Sequence, residues 1–431
     1  MRLLYVIHSF PPESRGGSEI ACHRVAVDMA ESGHDVHVLT RIADEDAEEG
    51  LVRVTEENGV TVHRVNRTYR NFAGFEATYA SPMVESLFER MLRDVRPDLV
   101  HFHHLTHLSL RLPTIAKAHR LPVVFTLHDY WLFCQLGQLL TIDQERCSGP
   151  RPGRCARCCS NELFPGPRAG GTVPPWRHLR GLLRMRKRLR LGRRQWRSVD
   201  LFLSSSDYLR GWFLSLGMPE QQIVTLDNGY DPSQFESVPP VRPDGRLTFG
   251  YIGNLIPSKG IHVLVDAFQR VEGAARLEVH GAYSVYHPGF EDYEKQLRAS
   301  ANHDERIRFE GSYEPMRAAE IMARLDVVVV PSIWYENSPL TIHEAFLARR
   351  AVITSGMGGM KELVEHEKNG LLFVPEDPVD LARQIQRMVD DPSLVDRLAV
   401  GGPVLAIGDL TSRLEETYER LLSGNGRGPA S

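Results

Sequence analysis

Residues 326–344 read DVVVVPSIWYENSPLTIHE, and this stretch decides the fold. The run Val327–Val330 is typical of a strand that is buried on both faces of a parallel sheet. The residues after it predict a short polar loop and then a helix, with Ser338 as the N-cap and Pro339 in the first turn. In an open α/β sheet, a strand followed by a loop and a helix N-terminus is where ligands bind.

Two glutamates flank the predicted turn, Glu336 on the loop and Glu344 on the helix. A carboxylate at that position suits sugar hydroxyls, which donate hydrogen bonds to it, and free helix-end amides suit phosphate. The alternative is that both glutamates are ordinary surface charges. The spacing alone leaves both interpretations open.

Length and composition indicate a globular protein of several domains. A chain of 431 residues predicts two or three domains, and 42% hydrophobic with 25% charged residues is typical of soluble proteins. The first apolar run is too short for a signal peptide, and no segment approaches the ~20 apolar residues of a membrane span. We therefore expect a cytoplasmic protein. Six cysteines in such a chain do not suggest a disulfide framework.

The N-terminal half begins with a strand–helix–strand pattern. Strands over Leu3–His8 and Asp35–Thr40, with a helix between them, predict a βαβ unit. The paired glycines Gly16 and Gly17 at its first turn would let the backbone approach a ligand closely. A glycine pair can also serve the turn alone, so this interpretation stays open.

Two later predicted strands, Asp98–His103 and Val123–His128, each end in histidine. Because the carboxyl ends of parallel strands face the ligand crevice, we expect His128 to point toward the ligand side. A single histidine at a strand end is more often structural than catalytic. The sequence does not choose between the two.

A proline- and glycine-rich insertion over 134–159 contains five of the six cysteines. Four of them have the spacing C-x12-C-x7-C-x2-C, which predicts a structural zinc site. They are Cys134, Cys147, Cys155 and Cys158. Basic neighbours such as Arg146 would stabilise thiolates there. The alternatives are free thiols or a redox pair, and we expect no catalytic metal.

Residues 176–198 hold the strongest charge run, ten arginines and lysines without one acid. Leucines are interleaved with these cations, as in a basic amphipathic helix that lies on an anionic membrane. A plain surface helix that packs its leucines on the domain is one alternative. A nucleic-acid surface is the other, but no recognised module accompanies the run, so no nucleic-acid partner is expected.

The second half repeats the strand–helix alternation. A turn at 228–232 and a proline-rich stretch at 239–245 predict a linker between the halves. The expected class is α/β, with two doubly wound Rossmann-like domains facing each other across a cleft. We place the first domain at 1–240, the second at 245–405, a C-terminal helix that packs back toward the first domain at 406–423, and a disordered tail at 424–431.

Three loops of the second domain are expected to face its ligand. The loop Gly253–Gly260 brings a lysine next to a helix start, which suits a diphosphate. The loop Glu336–Thr341 brings amides beside the glutamate, and Ser355–Met360 brings a glycine-rich turn. A diphosphate next to a hydroxyl-rich group predicts a sugar nucleotide.

Several motifs recur in an order that carries a family resemblance. They are Gly16-Gly17-Ser18-Glu19, His128-Asp129, Asn228-Gly229-Tyr230-Asp231, Lys259-Gly260, the pair of Glu336 and Glu344, and Gly358-Gly359 before Asn369-Gly370. Over nearly its whole length the chain resembles family 4 glycosyltransferases of the GT-B fold. The resemblance implies a retaining transfer of a sugar from a nucleotide donor to an acceptor hydroxyl, without a catalytic cofactor.

The resemblance also implies roles for single residues. Lys259 would bind the diphosphate, Glu336 the donor sugar and Glu344 the ribose. His128 would lie next to the sugar and Gly17 next to the sugar or phosphate, so that His128, Glu336 and Lys259 are the catalytic candidates. The remaining donor-binding candidates are Gly16, Gly253, Asn254, Asn337, Ser338, Pro339, Leu340 and Thr341. The basic stretch 176–198, and not the resemblance, suggests that the acceptor is a glycan or a lipid-linked sugar in polysaccharide or glycolipid assembly, with the protein peripheral at the inner face of the membrane.

Two positions depart from the family pattern. Asn254 stands where the family usually has arginine, so Lys259 would neutralise the leaving diphosphate alone or with Arg349 or Arg350. Arg350 itself replaces a small residue before the next strand. A sugar-nucleotide epimerase, an inactive transferase-like binding subunit and a zinc- and nucleic-acid-binding protein are the rival interpretations.

Overall fold

The computed structural model describes residues 1–14, 16–68, 74–163, 175–235, 245–283, 292–314 and 317–424. The chain divides into two compact units. The first unit comprises Met1–Ile142, Cys147–Gly229 and Ile407–Ser431, and the second comprises Asp143–Arg146 and Tyr230–Ala406. The division falls after Gly229. We had expected it later in the chain, in the proline-rich stretch at 239–245. Most of that stretch, and the predicted tail after Gly424, lie outside the described residues.

The first unit is built on an eight-stranded sheet with the order β3-β4-β2-β1-β5-β6-β7-β8. Its strands are β1 (Arg2–Val6), β2 (Asp35–Ile42), β3 (Val52–Glu57), β4 (Val60–Asn66), β5 (Leu99–Phe102), β6 (Val123–Leu127), β7 (Leu201–Ser204) and β8 (Ile223–Thr225). All neighbours pair in parallel except β3 and β4, which form an antiparallel edge.

Helices connect these strands in chain order. They are α1 (Gly17–Glu31), α2 (Pro82–Val95), α3 (Leu112–Ala118), α4 (Pro152–Cys158), α5 (Ser160–Leu163), α6 (Pro175–Trp196) and α7 (Asp207–Ser215). Short 3₁₀ helices lie at Phe75–Thr78 and Glu220–Gln222. The sequence predicted this alternation, and the structure confirms the α/β class.

The second unit has a six-stranded parallel sheet with the order β12-β11-β10-β13-β14-β15. A two-residue strand, β9 (Gly229–Tyr230), precedes it. The sheet strands are β10 (Leu247–Ile252), β11 (Ala275–His280), β12 (Ile307–Gly311), β13 (Val327–Val330), β14 (Ala351–Ser355) and β15 (Leu371–Phe373). The helices of this unit are α8 (Ile261–Phe268), α9 (Tyr293–Ala301), α10 (Ala318–Arg324), α11 (Leu340–Leu347), α12 (Met360–Leu363), α13 (Pro378–Asp390) and α14 (Pro392–Leu398). Further 3₁₀ turns lie at Pro232–Phe235 and Pro257–Lys259.

The chain ends in β16 (Leu405–Ala406) and the helix α15 (Ile407–Leu422), which is part of the first unit. The Tyr418 hydroxyl of α15 lies 3.2 Å from the Tyr5 hydroxyl and 2.6 Å from His101 Nδ1. Thr411 Oγ1 also donates to Asp28 on α1 at 2.6 Å. These buried polar contacts fix α15 against β1, β5 and α1.

Both sheets reverse their strand order beside their first strand. In the first unit β1 lies between β2 and β5, and in the second β10 lies between β11 and β13. Such a switch point opens a crevice at the carboxyl ends of the two central strands. Two hydrogen bonds of 2.8 Å hold this register in the second unit: the Asp326 amide donates to the Thr248 carbonyl, and the Thr248 amide donates to the Asp326 carboxylate. Each unit therefore has one preferred place for a ligand.

In the part of the chain that the structure describes, no helix combines the length and the apolar character that a bilayer span requires.

Candidate active site

The switch point of the second unit brings two loops together, one after β10 and one after β13. The Ile333 amide donates to the Ser258 carbonyl at 2.9 Å. Gly260 has a φ of 69°, and a Cβ there would overlap the Pro331 carbonyl oxygen. The glycine of the Lys-Gly motif is therefore needed for the close approach of the two loops, and it places Lys259 beside the loop that carries Glu336.

Lys259 and Glu336 form the polar centre of this site. The Lys259 Nζ lies 2.6 Å from Glu336 Oε1, which also accepts a 2.7 Å bond from Ser332 Oγ. The Glu336 side chain is 7% exposed, whereas that of Lys259 is 29% exposed. The ammonium also lies 5.6 Å from the centre of the Trp334 ring, within cation–π range. Sequence reasoning found the charged pair but missed Ser332 and Trp334, which orient it.

The helix α11 begins at Leu340, one residue after the start that the sequence suggested, and its cap differs from the prediction. The N-cap is Pro339, and no described side chain caps the helix. Ser338 Oγ instead pairs with His343 Nε2 at 2.8 Å, because that buried ring also needs a polar partner. Ser338 as an N-cap was therefore a wrong prediction. The Ile342 amide donates to the Pro339 carbonyl at 3.1 Å, and the amides of Leu340 and Thr341 before it are oriented to meet a ligand or water.

The glycine-rich loop Ser355–Met360 rests directly on the backbone of Glu336 and Asn337. The Gly359 amide donates to the Glu336 carbonyl at 2.7 Å, and a Cβ on Gly359 would overlap the Asn337 carbonyl oxygen. Thr341 Oγ1 donates to the Ile252 carbonyl of β10 at 3.3 Å. The start of α11 is thus held from both sides, which fixes its amides relative to Lys259.

The other donor-binding candidates of the second unit line the same crevice. Gly253 directly follows β10, and its amide donates to the His280 carbonyl at 3.0 Å. Asn254 follows with an exposed side chain, while its carbonyl accepts a 2.7 Å bond from Tyr251. Glu344 is partly buried; burial raises the pKa of Tyr313, and the charge of Glu344 raises it further.

Arg349 and Arg350 do not compensate for the missing arginine at position 254. Both precede β14, so they lie at the amino end of the sheet, whereas Lys259 lies at the carboxyl end. Arg350 is buried and donates to the Ala323 carbonyl at 3.3 Å, and Arg349 contacts the Val400 carbonyl. The expectation that either arginine assists Lys259 is therefore corrected.

In the first unit, the loop after β1 is organised by Glu19. This buried carboxylate accepts bonds from Ser14 Oγ at 2.8 Å and Ser18 Oγ at 2.6 Å. It folds back over Gly16, where a Cβ would lie 2.6 Å from Glu19 Oε2. Gly17 is the first residue of α1. The Gly-Gly-x-Glu motif therefore has a physical basis, in which the acid holds the loop and the first glycine makes room for it.

His128 lies at the end of β6 beside other strand-end histidines. Its Nε2 is 3.0 Å from His103 Nδ1, and the two rings stack with centres 5.2 Å apart. Burial lowers the pKa of His128 to about 4 and that of His103 well below its usual value. Both rings are thus neutral at pH 7, and one donates a hydrogen bond to the other.

Asp129 is held next to this pair. Its carboxylate contacts His104 Nε2 at 3.2 Å and accepts the Trp131 amide at 2.8 Å. Burial acts to raise the pKa of Asp129, but these partners lower it more, so the net pKa lies below its ordinary value. The acid stays ionised and fixes the turn after β6. The sequence did not predict that His103 positions His128, although the place of His103 at a strand end was a signal for it.

The four cysteines predicted to bind zinc all lie in the described residues as free thiols. Cys147 Sγ contacts the Gly149 carbonyl at 3.5 Å, and burial raises the pKa of Cys134 to about 12. Throughout the described ranges, no group of three or more His, Cys, Asp or Glu side chains has a metal-binding arrangement. Arg146, expected beside thiolates, contacts Met357 at 3.5 Å and Glu376 at 3.2 Å in the second unit.

Similarity to known proteins identifies the family to which this fold and site belong. The sequence profile of Glycosyltransferase Family 4 matches residues 15–234, and that of Glycosyl transferases group 1 matches residues 246–391. A chain with two Rossmann-like units and these two sequence profiles has the GT-B fold of glycosyltransferases. The chain belongs to glycosyltransferase family 4, and it is a transferase enzyme.

Its relatives are distant, and some of them match over most of the chain. An uncharacterised glycosyltransferase of Methanocaldococcus jannaschii is 24% identical over 91% of this chain and 90% of its own. A glycogen synthase of Mycobacterium tuberculosis is 24% identical over 93% of this chain and 88% of its own. Among solved structures, Anabaena HepE in complex with UDP and glucose has a TM-score of 0.65 at 19% identity, covering 97% and 99% of the two chains.

Proposed function

We propose that this glycosyltransferase moves a sugar from a nucleoside diphosphate sugar to an acceptor hydroxyl, with retention at the anomeric carbon. The observation that carries the proposal is the Lys259–Glu336 pair, held 2.6 Å apart at the switch point of the second unit. A diphosphate requires a cation and helix-end amides, and sugar hydroxyls require a fixed carboxylate. The complex of HepE with UDP and glucose supports a sugar nucleotide as the donor.

The paired state of Lys259 and Glu336 suggests how the donor enters. Lys259 and Glu336 are each other's charged partner. A donor that separates them must therefore give each side chain a new partner. Its diphosphate takes over the ammonium of Lys259, and a sugar hydroxyl donates to the carboxylate of Glu336, which Ser332 still holds at 2.7 Å. A nucleotide without a sugar, or a sugar without a diphosphate, would replace only one partner.

The transfer step then needs little chemistry from side chains. The bond from the anomeric carbon to the diphosphate oxygen breaks, and the acceptor oxygen bonds to that carbon from the same face. The acceptor proton passes to the leaving diphosphate oxygen. Lys259 and the backbone amides of Asn337, Ser338, Leu340 and Thr341 stabilise the charge that develops there, which is the largest contribution we assign to the protein.

The other assignments follow the family resemblance. Glu344 contacts the ribose, and His128 with Gly17 serves the sugar or phosphate from the first unit. We propose no catalytic cofactor. The acceptor that we propose is a glycan or a lipid-linked sugar in polysaccharide or glycolipid assembly, which the glycogen synthase among the relatives supports.

The test begins with a screen of sugar nucleotides for thermal stabilisation of the full chain. A donor at about 100 times its Kd should stabilise the protein by ~2.7 kcal/mol, which raises the Tm by ~5 °C or more. Acceptor-dependent release of the nucleoside diphosphate is then measured. Glu336→Gln should lower that rate at least ~100-fold, because it replaces the charged carboxylate that accepts the sugar hydroxyl and pairs with Lys259 by a neutral amide.

A matched control lies in the same unit. Glu365 is exposed and pairs with Lys368, so Glu365→Gln removes a similar Lys–Glu pair outside the site and should leave the rate unchanged. Equal rates in Glu336→Gln and the unmodified protein would contradict the donor site. Conversion of the donor without diphosphate release would instead identify an epimerase, and donor binding without transfer or hydrolysis across the acceptor panel would identify a binding subunit.

A further inference from the structure

The helix α6 (Pro175–Trp196) has one face that is packed against the first unit. Gly181, Met185, Arg188 and Gly192, spaced by three or four residues, are buried. Arg188 is fully buried, with its guanidinium 4.9 Å from the Trp131 ring centre and bonded to the Leu132 carbonyl at 3.3 Å. These contacts fix which side of α6 faces outward. They also remove Arg188 from the basic surface that the sequence suggested.

The outward face begins with three large apolar side chains. Trp176, Leu179 and Leu183 are 58%, 60% and 55% exposed. Their spacing of three and four residues puts them on a single side of the helix. Of the ten large hydrophobic side chains that are exposed among the described residues, three therefore lie within eight consecutive positions. Such a concentration marks an interaction site.

Cations continue the same face toward the C-terminal end of α6 and just beyond it. Beyond the first turn of the helix, the exposed ones are Arg180, Arg186, Lys187, Arg190, Arg193, Arg194 and Arg197. Arg184 is excluded from this group because it pairs with Glu76 at 2.7 Å. The segment 175–197 contains no acid, although the whole chain has a net charge of −4. The positive surface is therefore local to this helix.

An anionic bilayer is the partner that fits both parts of this face. A soluble polyanion would satisfy the arginines but would leave Trp176, Leu179 and Leu183 in water. A bilayer offers phosphates to the cations and an acyl boundary to the apolar side chains, and tryptophan is favoured at that boundary. At 22 residues, α6 is about 33 Å long, so it presents an extended contact to a flat surface.

We propose that α6 docks the protein onto an anionic lipid bilayer. The helix lies in the membrane plane, with Trp176, Leu179 and Leu183 entering the boundary between headgroups and acyl chains. The exposed arginines and Lys187 lie along the headgroup phosphates. This inference does not depend on the proposed donor site, because every residue in it belongs to α6 or directly follows it.

The test is sedimentation of the full chain with vesicles of phosphatidylglycerol mixed into phosphatidylcholine, and with vesicles of phosphatidylcholine alone. We expect binding to the anionic vesicles only, and weaker binding as salt increases. The variant R186Q/K187Q/R190Q/R193Q should lose at least ~100-fold in vesicle affinity, since each cation near the surface contributes to the attraction. The variant W176S/L179S/L183S should also lose most of its binding.

The matched control removes four exposed arginines from the second unit, R270Q/R317Q/R383Q/R397Q. This control changes the net charge by the same amount as the α6 charge variant, and it should bind vesicles like the unmodified protein. Equal binding to neutral and anionic vesicles, or equal losses in the control and in the α6 charge variant, would overturn the proposal. Full binding by the apolar variant would also overturn it, because α6 would then be a site for soluble polyanions. Thermal unfolding of each variant checks that it is folded.

Discussion

Gly16 shows how the absence of one side chain shapes the loop after β1. Glu19 returns over this glycine and accepts bonds from two serines, Ser14 and Ser18. The sequence suggested that the paired glycines allow a ligand to approach. The structure gives Gly16 a different first partner, since the carboxylate of its own chain occupies the space where a Cβ would be.

Gly16→Ala should destabilise the first unit. The new Cβ would lie 2.6 Å from Glu19 Oε2, so the carboxylate must move away from its serine donors. We expect a loss of ~1–3 kcal/mol in the free energy of unfolding, measured by urea denaturation. Gly211→Ala is the control, because this glycine lies inside α7 with nothing within 4 Å of the added atom. It should stabilise the protein by up to ~1 kcal/mol, and a matching gain in Gly16→Ala would contradict the account of Glu19.

At the scale of elements, β5, β6 and α15 bring a row of buried histidines into contact. His101 bonds to Tyr418 at 2.6 Å and to Thr126 Oγ1 at 2.8 Å, and it stacks on His103 with ring centres 4.5 Å apart. His103 in turn bonds to His128. Burial lowers the pKa of His101 to about 3. The row is therefore neutral in the folded protein and holds α15 and His128 in fixed positions.

The pH dependence of stability should report this row. An unfolded histidine binds a proton as the pH falls below ~6.5, whereas folded His101 binds one only near pH 3, so the unfolded state is favoured by acid. Each such histidine should remove ~2 kcal/mol from the free energy of unfolding between pH 7.5 and pH 5. His101→Gln should reduce this loss by that amount, measured by urea denaturation at both pH values. His178→Gln, which changes an exposed residue near the start of α6, should leave the loss unchanged, and identical losses in the two variants would count against the row.

Zinc binding by the insertion over 134–159 stays a prediction. The cysteine spacing favours a metal, whereas the described side chains do not form a metal-binding group. Elemental analysis of the purified full chain checks it directly. About one zinc per chain, lost in Cys155→Ser but retained in a variant of Cys22, which lies outside the insertion, would support the prediction. Protein without zinc would remove it.

The elements that could be predicted from sequence are those whose burial leaves a pattern. Val327–Val330 is a strand because four β-branched residues are buried on both faces. The edge strand β3 was missed because most of its residues are exposed and polar, so its sequence has no apolar alternation that would predict a strand. The cap of α11 was predicted wrongly because Ser338 bonds to His343, a partner five residues later that no local rule includes.

The site itself was only partly accessible from the sequence. Lys259 and Glu336 could be identified because their motifs follow strands that meet at the switch point. Their supporting contacts, such as Ser332, depend on how two distant loops approach each other, which the spacing does not determine. The position of Arg350 could have been inferred from chain direction alone, since a residue before a parallel strand lies at the opposite end of the sheet.

At the scale of the whole molecule, each unit has one sheet and one switch point, and the chain returns to the first unit through α15. The sequence predicted two doubly wound domains because the strand–helix alternation starts twice. The short strands β9 and β16 at the crossings were not predicted, because two residues are too few to form a recognisable pattern. The boundary at Gly229 therefore required the structure, whereas the class of each unit and the return of the C-terminal helix to the first unit did not.

The central claim is that Lys259 receives the donor diphosphate in a site where Asn254 stands in place of the arginine that the family usually has. Isothermal titration calorimetry with the nucleoside diphosphate of the stabilising donor tests it most directly. Lys259→Met should raise the Kd at least ~10-fold, because the charge-assisted contact to the phosphates is lost. Lys368→Met, which removes the lysine of the surface pair with Glu365, should leave the Kd unchanged. Equal Kd values for Lys259→Met and the unmodified protein would contradict the account.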